Sequence, residues 1–133
     1  MPVPTYFPSL ACVSGATAVA FGAFGAHALR PHLNAHQQAS WQTATIYHLV
    51  HSAALLITTT LPIAPSAALT TSAWSFATGI TLFSGSIYGL CLTKEGHPSR
   101  KILGPATPIG GLAFIAGWVA LAVAQRRGAP RLR

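Results

Sequence analysis

Charged residues are scarce in this sequence, and acidic residues are almost absent. Asp, Glu, Lys and Arg together make up 7% of the 133 residues, and Glu95 is the single acid against eight Lys and Arg residues. Soluble domains carry about 25% charged residues, so this short chain lacks the groups that would keep its surface dissolved in water. Hydrophobic residues make up 51%, which also excludes a disordered chain. The composition predicts a protein embedded in a lipid bilayer.

The lack of acids also removes the usual catalytic groupings. No acid is available to orient a histidine in a hydrolytic triad, no carboxylates are paired, and neither a P-loop nor a dinucleotide fingerprint occurs. Glu95 stands near Lys94, His97 and Arg100, where a solvated loop cluster is a better interpretation than a general base. We therefore expect no enzymatic activity, no catalytic residue and no cofactor.

Four long uncharged apolar stretches divide the chain. Each is close to the ~20 residues that cross ~30 Å of hydrocarbon at about 1.5 Å per residue. Open strands cannot satisfy their backbone groups in lipid, and short separators make consecutive helices antiparallel neighbours. The sequence thus predicts an all-α integral membrane bundle of four transmembrane helices, running up-down-up-down as a single domain over residues 1–133. The predicted spans are residues 8–29, 41–61, 72–92 and 105–124, followed by a basic tail at 125–133.

The basic residues lie in the predicted loops and at the chain end. Four occupy the tail, where we expect them to contact anionic lipid headgroups at about 1 kcal/mol each: Arg126, Arg127, Arg131 and Arg133. The other four lie in the first and third loops, on the opposite face. This even split leaves the orientation and the compartment open. Nothing resembles a nucleic-acid recognition helix or stacking platform, so no nucleic-acid partner is expected.

Small residues recur at helical spacing in three of the four spans. The third span carries Gly85-x-x-x-Gly89 and the fourth carries Ala113-x-x-x-Gly117. Such stripes let helix backbones approach closely in lipid, where little hydrophobic force acts between spans. We favour packing within one monomer over the alternative, a homo-oligomer face.

Histidines inside the apolar spans are the candidate functional residues, because ionisable groups are costly in lipid. His48 and His51 lie three residues apart on the second span, and His27 closes the first. Neutral imidazoles that hydrogen-bond to neighbouring helices are the leading interpretation. Binding of haem or a metal ion by His27 with His48 or His51 is one alternative, although no carboxylate or thiolate completes a first shell. Proton relay or binding of a small polar solute is the other.

Four motifs resemble one family of small membrane proteins. They are Gly22-Ala-Phe-Gly-Ala-His27, Trp41-x-Thr-Ala-x-x-Tyr-His-x-x-His51, Leu82-Phe-Ser-Gly-Ser-x-Tyr88 and Thr107-Pro-Ile-Gly-Gly111 with Gly117-Trp118. The chain is similar in all four spans to the YgdD-like family, whose animal members are called transmembrane protein 256 and whose domain is catalogued as domain of unknown function 423. The resemblance implies a four-span membrane protein without an established biochemical activity. For a eukaryotic source it would also imply a mitochondrial membrane.

These motifs gather in the half of the bundle nearer the first and third loops, which we call the loop face. We expect a polar, small-residue cluster there, with the segment Thr107–Gly111 forming a turn. Its members would be Gly22, Gly25, His27, Tyr47, His51, Ser84, Ser86, Tyr88, Thr107, Gly110 and Gly111. The sequence favours a non-catalytic accessory or structural membrane protein that packs with membrane-protein partners or lipids. The alternative is a binder of a cofactor or small solute through the histidines.

Overall fold

The computed structural model describes residues 2–128 and is all-helical over that range. It contains four long helices: α1 (Phe7–Ala26), α2 (Ala35–Thr60), α3 (Ala67–Leu92) and α4 (Arg100–Gly128). A short 3-10 turn, Arg30–His32, lies between α1 and α2. The predicted all-α bundle of four helices is therefore confirmed.

The second helix begins earlier than its predicted span, at Ala35 rather than Trp41. Asn34 caps it by accepting a hydrogen bond from the Gln37 backbone, while the Gln37 side chain accepts one from the Asn34 backbone. This reciprocal capping box satisfies two backbone donors that would otherwise be unpaired. The polar residues that begin α2 are therefore helical rather than part of a loop.

The fourth helix contains two prolines and no turn. It starts at Arg100 and continues through Pro105 and Pro108, so the expected turn at Thr107–Gly111 is wrong. A proline in a helix removes one backbone N–H and frees the carbonyl four residues earlier. Here the freed carbonyls belong to Lys101 and Gly104, which are exposed residues near the helix start. At such a position other polar groups can satisfy them, which is why membrane helices tolerate proline.

The third helix changes its winding midway. Ala67–Gly79 and Gly85–Leu92 are α-helical, and Ile80–Ser84 between them forms a π-helical segment in which the Gly85 N–H donates to the Ile80 carbonyl. Segments of this kind insert an extra residue into a helix and often occur at functional sites. In this bundle the segment contacts both α2 and α4.

Cross-helix contacts show the antiparallel order. Ser14 in α1 contacts Ser52 in α2, whereas Phe21 further along α1 bonds to Trp41 near the start of α2. Ser72 and Ser86 in α3 bond to Gly117 and Thr107 in α4, again in reversed order. The buried apolar residues form one cluster around Phe7, Phe76 and Phe114 and another around Trp41 and Tyr88.

Three of these helices are long and apolar enough to cross a membrane: Phe7–Ala26, Ala67–Leu92 and Arg100–Arg126. Large apolar side chains on α1 and α4 point away from the bundle, among them Val13, Val19, Leu112 and Ile115. The second helix has 26 residues, which at about 1.5 Å each would also cover the hydrocarbon. Its crossing of the membrane stays a prediction.

Candidate functional site

His48 lies at the centre of a hydrogen-bonded series that joins three helices. Its Nε2 atom is 3.0 Å from the Ser14 hydroxyl of α1, and its Nδ1 atom is 3.4 Å from the Tyr88 hydroxyl of α3. Ser14 also contacts the Ser52 hydroxyl at 2.7 Å, and Tyr88 contacts the Thr45 hydroxyl at 3.4 Å. His48 is buried, with 6% of the residue surface exposed. We call these five residues the hydroxyl series.

The available protons define the tautomer of His48. Ser52 donates its hydroxyl proton to the His48 carbonyl, so Ser14 must donate to Ser52. The Ser14 proton is thereby used, and the bond between Ser14 and His48 requires a proton on Nε2. A neutral imidazole carries one N–H, so Nδ1 is an acceptor. The hydroxyl series therefore fits a neutral His48 protonated at Nε2.

At the Tyr88 end of the hydroxyl series, one hydroxyl proton has two possible acceptors. Thr45 donates its hydroxyl proton to the Trp41 carbonyl. Tyr88 can then donate to the Thr45 hydroxyl or to Nδ1 of His48, each 3.4 Å away. Both distances exceed the 2.5–3.2 Å typical of strong hydrogen bonds. The hydrogen bonds of Tyr88 are therefore the weakest in the hydroxyl series.

His51 has a different environment, made of aromatic rings. It stacks on Phe114 with ring centroids 3.6 Å apart and planes 14° from parallel. Tyr47, Phe76 and Trp118 surround it at centroid distances of 5.7 Å, 5.7 Å and 6.1 Å. These rings come from α2, α3 and α4, so the aromatic cage joins those three helices.

Both nitrogens of His51 are engaged in fixed directions. Nδ1 lies 2.8 Å from the Tyr47 carbonyl, which can only accept, so Nδ1 carries the proton. The Trp118 indole N–H donates to Nε2 at 3.2 Å, and indole is only a donor. His51 is thus a neutral imidazole with no lone pair free to ligate a metal or haem iron.

The small and hydroxylated residues of the predicted cluster hold α3 against its neighbours. Ser84 donates to the Ala44 carbonyl at 2.9 Å, and Ser86 contacts the Thr107 hydroxyl at 2.6 Å. A Cβ atom added to Gly110 would overlap the Phe83 backbone, whereas one added to Gly111 would make ordinary contacts with the Phe83 ring. Gly110 therefore sets how closely α4 approaches the π-helical segment.

The first motif contacts α2 but not the cage. A Cβ on Gly25 would overlap the Trp41 ring, and one on Gly22 would lie 3.1 Å from the Thr45 side chain. The Trp41 indole donates to the Phe21 carbonyl at 2.8 Å. His27 is exposed at the end of α1, whereas His51 is buried among α2, α3 and α4. The expected cluster is thus divided, with Tyr88 in the hydroxyl series, Tyr47 and His51 in the aromatic cage, and His27 in neither.

Sequence reasoning missed Ser14 and Ser52, which complete the hydroxyl series. Ser52 lies four residues after His48 and therefore on the same helical face. Ser14 lies three residues after Ala11 and four before Ala18, two buried small residues of α1. Helical periodicity around His48 could have found Ser52, whereas no local pattern connects Ser14 on α1 with His48. Phe114 carried no such signal, because a single phenylalanine in an apolar span is ordinary.

The buried polar groups are satisfied within the protein. Across residues 2–128, every buried side-chain nitrogen and oxygen has a hydrogen-bond partner, and no three His, Cys, Asp or Glu side chains come together as a metal site would need. The arrangement can therefore fix the helices relative to one another.

Among the tail residues predicted to contact lipid headgroups, Arg126 is exposed on α4. Arg131, Arg133 and the Arg127 side chain lie outside the described part of the chain.

The fold and these contacts define a helical membrane protein whose bundle is held together by hydrogen bonds between helices. The sequence model of one family, described as "Protein of unknown function (DUF423)", matches residues 21–111. The chain belongs to this family, which confirms the resemblance seen in the motifs. No solved structure is significantly similar to it.

Relatives from fungi and bacteria carry the same description as membrane proteins. The chain is 40% identical to the UPF0382 membrane protein of Schizosaccharomyces pombe over 119 residues, covering 86% of this chain and 97% of the relative. It is 40% identical to one from Staphylococcus aureus, covering 89% and 93%. It is 37% identical to the UPF0382 membrane protein YwdK of Bacillus subtilis, covering 89% and 94%. The chain is thus a membrane protein of an uncharacterised family.

Proposed function

We propose that the protein is a non-catalytic accessory subunit that packs against another membrane protein. The observation that supports this role is the satisfaction of every buried polar side chain within residues 2–128. A catalytic site needs polar groups directed at a substrate, whereas these buried polar side chains form hydrogen bonds within the bundle. The bundle then offers its outer apolar faces as the surface for recognition.

The outer faces of α1 and α4 are the candidates for that recognition. Val19 on α1 is 60% exposed, and Ile115 on α4 is 62% exposed. Trp118 lies on the same side of α4 as Ile115 and carries an aromatic ring with 47% of its surface exposed. Aromatic residues are enriched at interfaces because they bury a large area with little loss of conformational freedom. The α4 face is thus the better candidate.

Photo-crosslinking in the native membrane tests this role. A photoreactive amino acid at Ile115 should give one discrete protein adduct, identified by mass spectrometry. The same group at Val19 compares the second face, and the same group at Phe76, which is fully buried and already aromatic, is the matched control that should give only internal products. Lipid adducts alone from both exposed positions would contradict the proposal. A self-adduct would instead identify a homo-oligomer.

A second candidate function, binding of a proton or small polar solute, is favoured by the long contacts of Tyr88. Its single proton is shared between two acceptors, so a solute hydroxyl or an added proton would find a partner there. Solid-state NMR of ¹⁵N-histidine in lipid tests this, with His48→Phe used to assign the His48 signal among those of the six histidines. A His48 signal that changes with pH or added solute supports binding, and one that stays constant removes this candidate.

A further inference from the structure

A polar pocket opens at the loop face, away from both histidine environments. It lies where α2 begins, α3 ends and α4 begins, and has a volume of about 420 Å³. Its lining includes His36, Lys94, Glu95, Arg100 and Thr107. Pockets of this size accommodate small ligands. Because two candidate spans end beside it, at Leu92 and Arg100, the pocket lies at the depth of lipid headgroups.

Arg100 is held in this pocket by the end of α3. Its Nη1 atom donates to the Leu90 carbonyl at 2.8 Å and to the Thr93 carbonyl at 2.9 Å. These two bonds use both protons of Nη1 and fix the guanidinium plane. They also cap the carbonyl end of the helix, where a cation is favoured. Arg100 is therefore ordered before any ligand arrives.

The remaining N–H donors of the Arg100 guanidinium are available to a ligand. Arginine has five N–H donors, and the three on Nε and Nη2 have no partner among residues 2–128. The charge also lacks a counter-ion in that range, since no ion pair joins it to Glu95. A partly buried cation without an anion is costly at the edge of a membrane. The free edge of a guanidinium matches the two oxygens of a phosphate group.

The geometry points to a binding site for the phosphate of an anionic phospholipid headgroup, with Arg100 as its centre and Lys94 and His36 at its rim. Glu95 also lines the pocket and opposes an anion, whereas Lys94 offsets it, so Arg100 leaves the lining with a net positive charge. The ligand chemistry is a phosphate ester, which a lipid or a free metabolite could supply. We assign it to lipid because of the depth of the pocket. This site is separate from the basic tail, and its failure would leave the proposed accessory role untouched.

Native mass spectrometry of the full chain, released from detergent with phosphatidylglycerol or phosphatidylcholine, tests the site. We expect one retained phosphatidylglycerol and no comparable retention of phosphatidylcholine. Arg100→Gln should reduce retention about tenfold or more, the effect of losing charge-assisted hydrogen bonds. The matched control is Lys101→Gln, which removes the same charge from an exposed neighbour outside the pocket lining and should change retention less than twofold.

Two variants keep the test decisive if loss of the carbonyl contacts prevents Arg100→Gln from folding. Lys94→Gln should weaken retention about fivefold, the effect of one cation near an anionic surface, and Glu95→Gln should strengthen it. Equal losses in Lys94→Gln and Lys101→Gln would overturn the site in favour of diffuse attraction. Lipid retention that is unchanged in both Lys94→Gln and Glu95→Gln would also overturn the site. Displacement of the lipid by millimolar glycerol 1-phosphate would overturn the lipid assignment and identify a soluble phosphate ester as the ligand.

Discussion

The two sides of α2 contact the rest of the bundle through different kinds of interaction. Towards α1 and the end of α3, His48 is connected through hydroxyl groups. Towards α4 and the start of α3, His51 is enclosed by aromatic rings. Because the two histidines are three residues apart, a helix places them roughly 60° apart around its axis. That rotation is enough to give the same residue type two different neighbourhoods.

The difference shows how a polar residue inside a helical bundle acquires its role from its partners. The aromatic cage defines every donor and acceptor of His51, so the ring behaves as a rigid packing element. The hydroxyl series leaves one proton shared between two long contacts of Tyr88, so that side can rearrange at lower cost. Substitutions that interfere with one side at a time can test this contrast.

The largest effect is expected on the aromatic side, at Gly110. A methyl group there would overlap the Phe83 backbone, and a backbone cannot rotate away as a side chain can. Gly110→Ala should force α4 away from the π-helical segment and cost about 3 kcal/mol, the upper part of the range for overpacking. Chemical unfolding in detergent, followed by circular dichroism, measures the loss.

Gly104→Ala is the matched control for that prediction. An added Cβ at Gly104 meets nothing within 4 Å, and alanine is favoured over glycine within a helix by about 0.5–1 kcal/mol. This variant should therefore be slightly more stable than the parent. Equal destabilisation by both alanines would show that helix geometry, and not contact with α3, limits the substitution at Gly110.

Phenylalanine at each histidine compares the two sides directly. His48→Phe should cost about 2 kcal/mol, because it removes both imidazole hydrogen bonds from a buried place and puts a larger ring there. His51→Phe should cost about 1 kcal/mol, because a phenyl ring can keep the stack on Phe114 and loses only the hydrogen bonds. Unfolding free energies in the same detergent check the order. A larger loss from His51→Phe would mean that its hydrogen bonds, and not the stacking, hold the aromatic side together.

The sequence was informative about the helices and less so about their details. Charge-free stretches predicted four helices because lipid excludes most charged groups. The start of α2 depended on a capping box between Asn34 and Gln37. The fourth helix begins before Pro105 and Pro108, because a membrane helix tolerates prolines near its start. Both are local effects that a span-length criterion does not detect. The π-helical segment lies against α2 and α4, and periodicity along one helix does not reveal such contacts.

The same limit applied to the candidate site. His48 and His51 stood out because ionisable residues are rare in lipid, and their environments are indeed polar and aromatic. Their assignment to different sides depended on partners more than 30 positions away, such as Ser14, Tyr88 and Trp118. No local pattern connects residues so far apart. Only the packing of the helices decides which side each histidine joins.

A smaller effect is expected where the cage is joined to the outer face of α4. Trp118→Phe removes the indole donor from Nε2 of His51 and leaves a buried acceptor unpaired, at a cost of about 1 kcal/mol. In a double-mutant cycle with His51→Phe, the two losses should be less than additive, because each single change already breaks the same hydrogen bond. Strict additivity would show that the bond at 3.2 Å contributes nothing to stability.

The smallest effect is expected on the hydroxyl side, at Ser14. Ser14→Ala removes two contacts between α1 and α2, and hydrogen bonds between membrane helices contribute about 0.6 kcal/mol on average. Thr17→Ala is the control, because the Thr17 hydroxyl donates only to the Val13 carbonyl of its own helix and should be close to neutral. Because the hydroxyl series can rearrange, the loss at Ser14 should stay below that at Trp118. A loss at Ser14 that exceeds the loss at Trp118 would contradict the contrast, since the series would then be as rigid as the cage.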